Sequence, residues 1–493
     1  MVAGTGFDYW SVDPNRGSAL PLTTFAVNNA LLEMGYIELA QQRIQWYLEN
    51  DVYPDGSINM SKWSNCPYPY SYNGLFPDGL ADYGQLLDLV INAARLGRNA
   101  TFLNDVMPLA LNVANYMLGV HNAGKAKFTR DDWQYGLIYG QAEHDTCHDL
   151  DYYVSTQVWY WRGLHEFGLL LQDPDFSFTT IDTSNSTAFL LAAQLIKSQL
   201  ESRLPDASTY DNVTNLPVFV SPKLQAVTAP FGSMIQDTVS EYSNFRYWTE
   251  TLLASGLPAA YEVAMLEFRD AHQGIVSGIT RWNDHLDDMP STGYGWSHLV
   301  HDRLDAFYAL QYGHMANYMS PGVFSATEQL NYQGDHLNRL PLSGDGAEQE
   351  RDLDFCIVSA SLPALFTKWQ LVITPRDSNV LHLAKAAPRR WLSDGFGIAN
   401  ATTRYGRVTY NVSSANAITH AHVSLTPAGS SCPDIVIRLQ SATANPQPVT
   451  DVKVLGTDGM TLVKVEGNDV LFSCDCSTVA RCEVEVEALF TST

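Results

Sequence analysis

Apolar residues recur at helical spacing from residue 21 to about residue 371, and beyond residue 379 they alternate. Thr23 to Met34 predicts a helix stopped by Gly35. Tyr36 to Asn50 predicts a second, with Ile37, Ala40, Ile44 and Tyr47 on one face. Gly79 to Leu96 carries Leu80, Tyr83, Leu86, Leu87, Val90, Ile91 and Ala94 in helical register and ends at Gly97. Another helix is expected from Thr101 to about Val120. One more follows Asp149, with Val154, Val158, Trp161, Leu164, Phe167 and Leu170 on one face. Ser186 to Leu204, Asp237 to Ala254, Leu257 to Ala271, Trp296 to Met319 and Ile357 to Leu371 complete the series. This gives ten to eleven helices, mostly in pairs, with short links alternating with long loops rich in aromatic and acidic residues. No repeat of 34 or 40 residues is visible, which disfavours a tandem solenoid. Paired helices with long loops between pairs predict a mainly α chain built as an (α/α)6 barrel or toroid. Six hairpins need twelve helices, one or two more than the pattern supplies.

The period-two segments include Val380, His382 and Ala384, then Arg404 to Ser413, His420 to Leu425, Asp434 to Leu439, Thr450 to Leu455, Thr461 to Val465 and Cys482 to Glu487. Turn residues separate them, which predicts a C-terminal antiparallel β-sandwich. The expected division is a lead-in over 1–20, a helical domain over 21–375 and the sandwich over 376–493.

Composition narrows the class. Of 493 residues, 45% are hydrophobic, enough for a large core and against global disorder. A formal net charge of −24 argues against binding to phosphate backbones or anionic membranes. No run of apolar residues is long enough to span a bilayer. The 25 Tyr, 20 Phe and 11 Trp suit stacking on sugar rings. Sequons at Asn59, Asn99, Asn185, Asn212, Asn400 and Asn411 point to a secreted protein. The N-terminus lacks the basic and apolar regions of a signal peptide, so residue 1 is expected not to be the natural start. Cys432, Cys474, Cys476 and Cys482 predict two disulfides. Cys66, Cys147 and Cys356 are scattered, leaving one cysteine over. The sequence contains no GxSxG, GxGxxG, Walker A or HExxH motif, and no cofactor is predicted. Cys147 beside His148 has nothing to complete a triad.

Helical hairpins followed by a sandwich resemble the six-hairpin glycosidase superfamily. The stretch Ala386-Ala387-Pro388-Arg389-Arg390-Trp391-Leu392, with Thr402-Thr403-Arg404-Tyr405-Gly406-Arg407-Val408, resembles the first sandwich strands of its members, relatives of α-L-rhamnosidases among them. Asp55-Gly56-Ser57-Ile58-Asn59 and Phe76 to Gln85 resemble rim segments before inner helices. The N-terminal sandwich domains common in rhamnosidase-like members are absent from this chain. The resemblance implies a secreted, cofactor-free glycoside hydrolase of inverting type, acting on plant or microbial glycans.

Inversion needs a protonated carboxyl at the leaving oxygen and a carboxylate holding water on the other face, about 6.5–9.5 Å apart. The richest source is Glu143 to Asp151, with four carboxylates and two imidazoles. Glu143 is the candidate acid, with Asp145 its rival. Trp133, Tyr135 and Tyr139 lie upstream to lower local polarity and raise the acid's pKa. His144 and His148 are candidate substrate contacts, and Asp149 and Asp151 candidate helix caps. A capping loop or a metal site of His144, Asp145, His148 and Asp149 are the competing readings, although that spacing matches no standard motif. Asp237, Glu241 or Glu328 is the candidate base, with Arg246 a sugar contact. Trp282, His285, Asp287, Asp288 and Tyr294 form a candidate binding wall, and Asp55, Trp63 and Asp78 candidate subsite contacts. Capping or structural roles compete at each. The rival functions are a polysaccharide lyase, using Tyr242, Asn244 and Arg246 or the two histidines, and a non-catalytic glycan-binding protein.

Overall fold

The computed structural model describes residues 21–58, 80–141, 150–178, 181–204, 222–224, 242–271, 274–282, 285–287, 291–319, 326, 329–333, 336–337, 357–415, 417–442, 448–476 and 479–490. The chain forms two compact units. One is helical and takes in Leu39–Ile91 and Asn99–Pro363 with the chain up to Asn29. The other takes in Ala364–Thr493 together with Ala30–Glu38 and Asn92–Arg98.

Eleven helices are present among the described residues. Five hairpins pair α1 (Pro21–Glu33) with α2 (Ile37–Asp51), α3 (Leu80–Gly97) with α4 (Ala100–Lys125), α5 (Val154–Gln172) with α6 (Ser186–Glu201), α7 (Tyr242–Ala254) with α8 (Ala259–Ala271), and α9 (Ser291–Val300) with α10 (Leu304–Asn317). The eleventh, α11 (Ile357–Leu371), stands alone. Four of the five links within pairs are two to four residues long, which forces antiparallel neighbours. The helix expected from Trp296 to Met319 is two helices, broken at His301–Arg303. Asp302 takes a left-handed φ of 60° there, which an unbroken helix cannot contain.

Burial separates the two members of each hairpin. Residues 80–91 of α3 and 291–299 of α9 are buried without a break, and sixteen of the 19 positions of α5 are buried. Their partners α2, α4, α6, α8 and α10 bury one face only. This is the layering of an α/α toroid, with first helices inside and second helices outside. Glycines let the inner helices approach. A Cβ on Gly84 of α3 would stand 2.0 Å from the Trp159 carbonyl oxygen of α5, and Gly163 packs directly on Gly84. Gly293 of α9 lies as close to the Thr249 carbonyl of α7. Arg162 of α5, itself buried, donates from Nη2 to the Ala254 and Ser255 carbonyls at 2.7 and 2.9 Å, satisfying the end of α7.

The long connections contain strands that hydrophobic patterning did not reveal. A five-stranded sheet runs β3 (Ile275–Val276), β4 (Ile279–Trp282), β5 (His285–Asp287), β6 (Gln329–Gln333), β7 (His336–Leu337), all antiparallel. Ile279, Leu286, Tyr318 and Ala326 form its small core.

The second unit contains two five-stranded sheets. One has the order β10 (Phe396–Thr403), β11 (Gly406–Ala415), β12 (Ile418–Pro427), β17 (Cys482–Phe490), β14 (Val449–Asp458). The other runs β15 (Met460–Glu466), β16 (Asp469–Cys474), β13 (Asp434–Arg438), β9 (Val380–Leu383), β8 (Val372–Ile373). Alternation is strict along β11, whose Val408, Tyr410 and Val412 share one core with Ile435, Ile437 and Phe472. All pairs are antiparallel but one. β9 and β13 run parallel, because the chain between them builds three strands of the opposite sheet before returning. Cys432 bonds Cys476, and Cys474 bonds Cys482. The Arg389-Arg390-Trp391 stretch is a 3₁₀ turn leading into β10. Arg404-Tyr405 makes the β10–β11 turn, and Gly406, which opens β11 opposite Thr403, sits at φ 137°.

Candidate active site

The chain between α4 and α5 folds back as a two-stranded hairpin. β1 (Gly140–Gln141) pairs with β2 (Leu150–Asp151) in the register Gly140↔Asp151 and Gln141↔Leu150. Residues 142–149 therefore join the two strands. Gln157 of α5 clamps the approach to β1: its Oε1 accepts from Ile138 N at 2.8 Å and its Nε2 donates to Ile138 O at 2.7 Å. Trp133 and Tyr139 each pack on Tyr152, with ring centroids 5.0 Å apart. Tyr152 is buried and Tyr139 is 46% exposed, so the aromatic group has one face in the fold and one in water. Burial first, then Tyr139 and Asp151, push the Tyr152 phenol up to about 12, and it stays protonated.

This geometry changes the roles expected near α5. Asp151 belongs to strand β2, and its Oδ1 accepts from Tyr152 N at 2.7 Å. The helix is capped by Tyr153 without a side-chain bond, and Val154 N donates instead to Pro222 O at 2.9 Å. Lys223 pairs with Tyr153 and sets its ammonium 5.5 Å from that ring, so residues 222–224 lie along the start of α5.

A second polar group gathers around α3. Tyr47 and Asp51 come from α2, Asp82 and Tyr83 from α3, Tyr116 from α4 and Tyr160 from α5. Tyr83 and Tyr116 stack with centroids 5.0 Å apart, and Ile58 N donates to the Tyr83 hydroxyl at 3.1 Å. Burial, then Asp51 and Asp82, raise the Tyr47 pKa well above its ordinary value. Burial and the Tyr116 phenol do the same for Tyr83 and Tyr160. These phenols are donors, not bases. The group opens to solvent at half-buried Tyr116 and at Asp55, whose carboxylate is held low by Ser57 hydroxyl and amide donors. Gly56 fixes this turn at φ 88°, against the Asn112 carbonyl of α4. Asp82 sits with Gln85 and Asp88 inside the buried run of α3, and these polar positions were the available signal for the group.

The remaining candidates fall as follows. Trp282 ends β4, paired with His285 of β5, and Asp287 pairs with Gln329 of β6. The segment carrying the expected binding wall is thus hydrogen-bonded to the one that follows Glu328 in sequence, two stretches read separately from the sequence. Arg246 lies on α7. Tyr294, read as a loop residue, is on α9 and 1% exposed, its ring 5.9 Å from the buried Arg269 guanidinium. Enclosure by α8 and α9 makes it a core residue rather than a surface contact. Arg269 in turn donates to the Gly274 and Arg281 carbonyls at 2.6 and 2.8 Å, bracing β4. Glu143, Asp145, His144, His148, Asp237, Glu241, Glu328, Trp63, Asp78 and Asp288 lie outside the described residues.

No family model matches the sequence, and no curated protein matches it. Among solved structures it is similar to an α-L-rhamnosidase from Dictyoglumus thermophilum, at 11% identity and a TM-score of 0.49, over 95% of this chain and 45% of that one. It is also similar to a Streptomyces avermitilis α-L-rhamnosidase complexed with L-rhamnose, at 11% identity and a TM-score of 0.46, over 94% and 38%. A GH76 α-mannanase from Bacteroides thetaiotaomicron aligns at 13% identity and a TM-score of 0.40, over 71% and 85%. The chain spans less than half the length of either rhamnosidase.

Proposed function

We propose that the chain is a secreted glycoside hydrolase of inverting type, cofactor-free and acting on plant or microbial glycans. In this reading residues 21–375 form the catalytic domain and 376–493 the sandwich domain. The observation that carries it is the β1–β2 hairpin. It ties both ends of the segment richest in acids and imidazoles to an inner helix and flanks it with three aromatic rings. Glu143 is the general acid, with Asp145 the alternate. Asp237, Glu241 or Glu328 supplies the base. Trp133, with its exposed neighbour Tyr139, offers an apolar face to a sugar ring, and His144, His148, Arg246, Trp282, His285, Asp287 and Asp288 are further candidate contacts.

Glu143→Gln keeps the side chain's shape and removes the proton. Its turnover on aryl glycosides and polysaccharides is expected to fall by about 10²–10⁴-fold while sugar binding survives. Unchanged turnover would remove Glu143 from the mechanism. The lyase reading predicts an ultraviolet-absorbing unsaturated product from the same assays. The elevated phenol pKa values at Tyr47, Tyr83, Tyr152 and Tyr160 weigh against a tyrosine base among those residues.

A further inference from the structure

A cavity of about 500 Å³ lies between α4 and α6, on the outer layer of the helical unit. We propose that it is a binding site for a carboxylated sugar, a uronate residue of an acidic glycan, with none of the candidate catalytic residues in its described lining. Its size falls within the range of small-molecule sites, about 300–1,000 Å³.

Three features define what fits. The first is charge. Lys125 at the end of α4 and Arg130 just beyond it both line the cavity, and neither forms an ion pair among the described residues. In a chain with 53 acidic against 29 basic residues, two unpaired cations at one cavity make it a place that draws an anion. The second is an apolar wall, made by Leu118 of α4 with Leu191 and Leu195 of α6. Leu191 is 62% exposed, an unusual position for a leucine with nothing upon it. Tyr135 adds an aromatic face.

The third feature is polar. The Asn122 and Gln199 amides line the same cavity and offer hydrogen bonds to hydroxyls. His121 also lines it and is 1% exposed; burial first, then Lys125, push its imidazole down to about 4, so the ring is neutral and adds no charge. A neutral sugar leaves the cations unanswered, and an aryl carboxylate leaves the amides without hydroxyl partners. A hydroxylated ring bearing a carboxylate meets both, with its C–H face on the leucines.

The choice of a hydroxylated carboxylate rests on the cavity alone; its source in a glycan rests on the carbohydrate reading of the chain. The test is calorimetric titration of the full chain with sodium D-glucuronate, D-glucose and sodium benzoate. Glucuronate should bind about tenfold more tightly than either of the others. Lys125→Ala/Arg130→Ala should weaken glucuronate about tenfold with an unchanged melting midpoint, and Arg130→Ala, at an exposed position, should lie between. Glu143→Gln should bind glucuronate like the parent. Equal affinity for glucose or benzoate, parental affinity in the double variant, or loss of binding in Glu143→Gln would each overturn the proposal. Parental turnover in Glu143→Gln beside an intact double-variant effect would sink the catalytic reading and leave this one standing.

Discussion

His121 and His298 are carried in the fold as neutral rings. Burial, with nearby cations, brings them to about 4 and about 3 against an ordinary 6.5. The unfolded chain takes up these protons near pH 6.5 and the folded chain only well below it. Stability is thus fully present above pH 6.5 and is lost as pH falls, the His121 share levelling off below about pH 4. The melting midpoint should drop between pH 7.5 and 5, reflecting a loss on the order of a few kcal/mol. His298→Asn should flatten that drop, and an equally steep profile in the variant would refute the assignment. At this scale the sequence is least transparent. Tyr83 reads as one apolar position in a helical stripe, and Asp82 and Asp51 as polar interruptions. Only packing shows that four tyrosines from four helices meet these acids. Tyr294 fails in the opposite sense: beside the acids at 284, 287 and 288 it looks like a loop aromatic, while its burial follows from the close approach of α9 to α7 at Gly293.

Among elements, long helices were legible and short strands were not. Leu80 to Ala94 and Val154 to Leu170 carry enough turns for their period to show, and α11 falls where its spacing predicts. Strands of two to five residues, such as β1, β2 and β5, offer one or two alternations at most, and tertiary pairing creates them. The β1–β2 hairpin depends on such support. Gln157→Leu would leave the Ile138 N–H and C=O buried without partners, a loss of about 2–4 kcal/mol. Turnover should fall well below the melting temperature as the segment after β1 loses its anchor. A variant destabilised by that amount but fully active at low temperature would show that the clamp has no part in holding the segment for chemistry.

For the molecule as a whole, the change of period near residue 379 announced a second architecture, and the crowding of four cysteines announced its crosslinks. Cys432–Cys476 and Cys474–Cys482 close loops of 44 and 8 residues in sequence separation, each restricting the unfolded chain. Loop-closure entropy puts these at about 4 and about 2.5 kcal/mol. Reduction should therefore lower the melting of the sandwich unit and leave the helical unit's transition in place, as scanning calorimetry with and without dithiothreitol would show. A shift of both transitions together would mean that the units unfold as one. Patterning did not reveal that Ala30–Glu38 and Asn92–Arg98 join the sandwich unit, since a helix carries no mark of which unit its end enters.

β17 occupies an interior place in its sheet, between β12 and β14. It also follows the other sandwich strands in sequence, and it holds Cys482. The three strands β10 to β12 can zip together early, but β14 has no neighbour in its sheet until β17 arrives, and Cys474 waits for its partner over the same interval. The sandwich is thus completed from its middle, when β17 enters between β12 and β14 and brings Cys482 to Cys474.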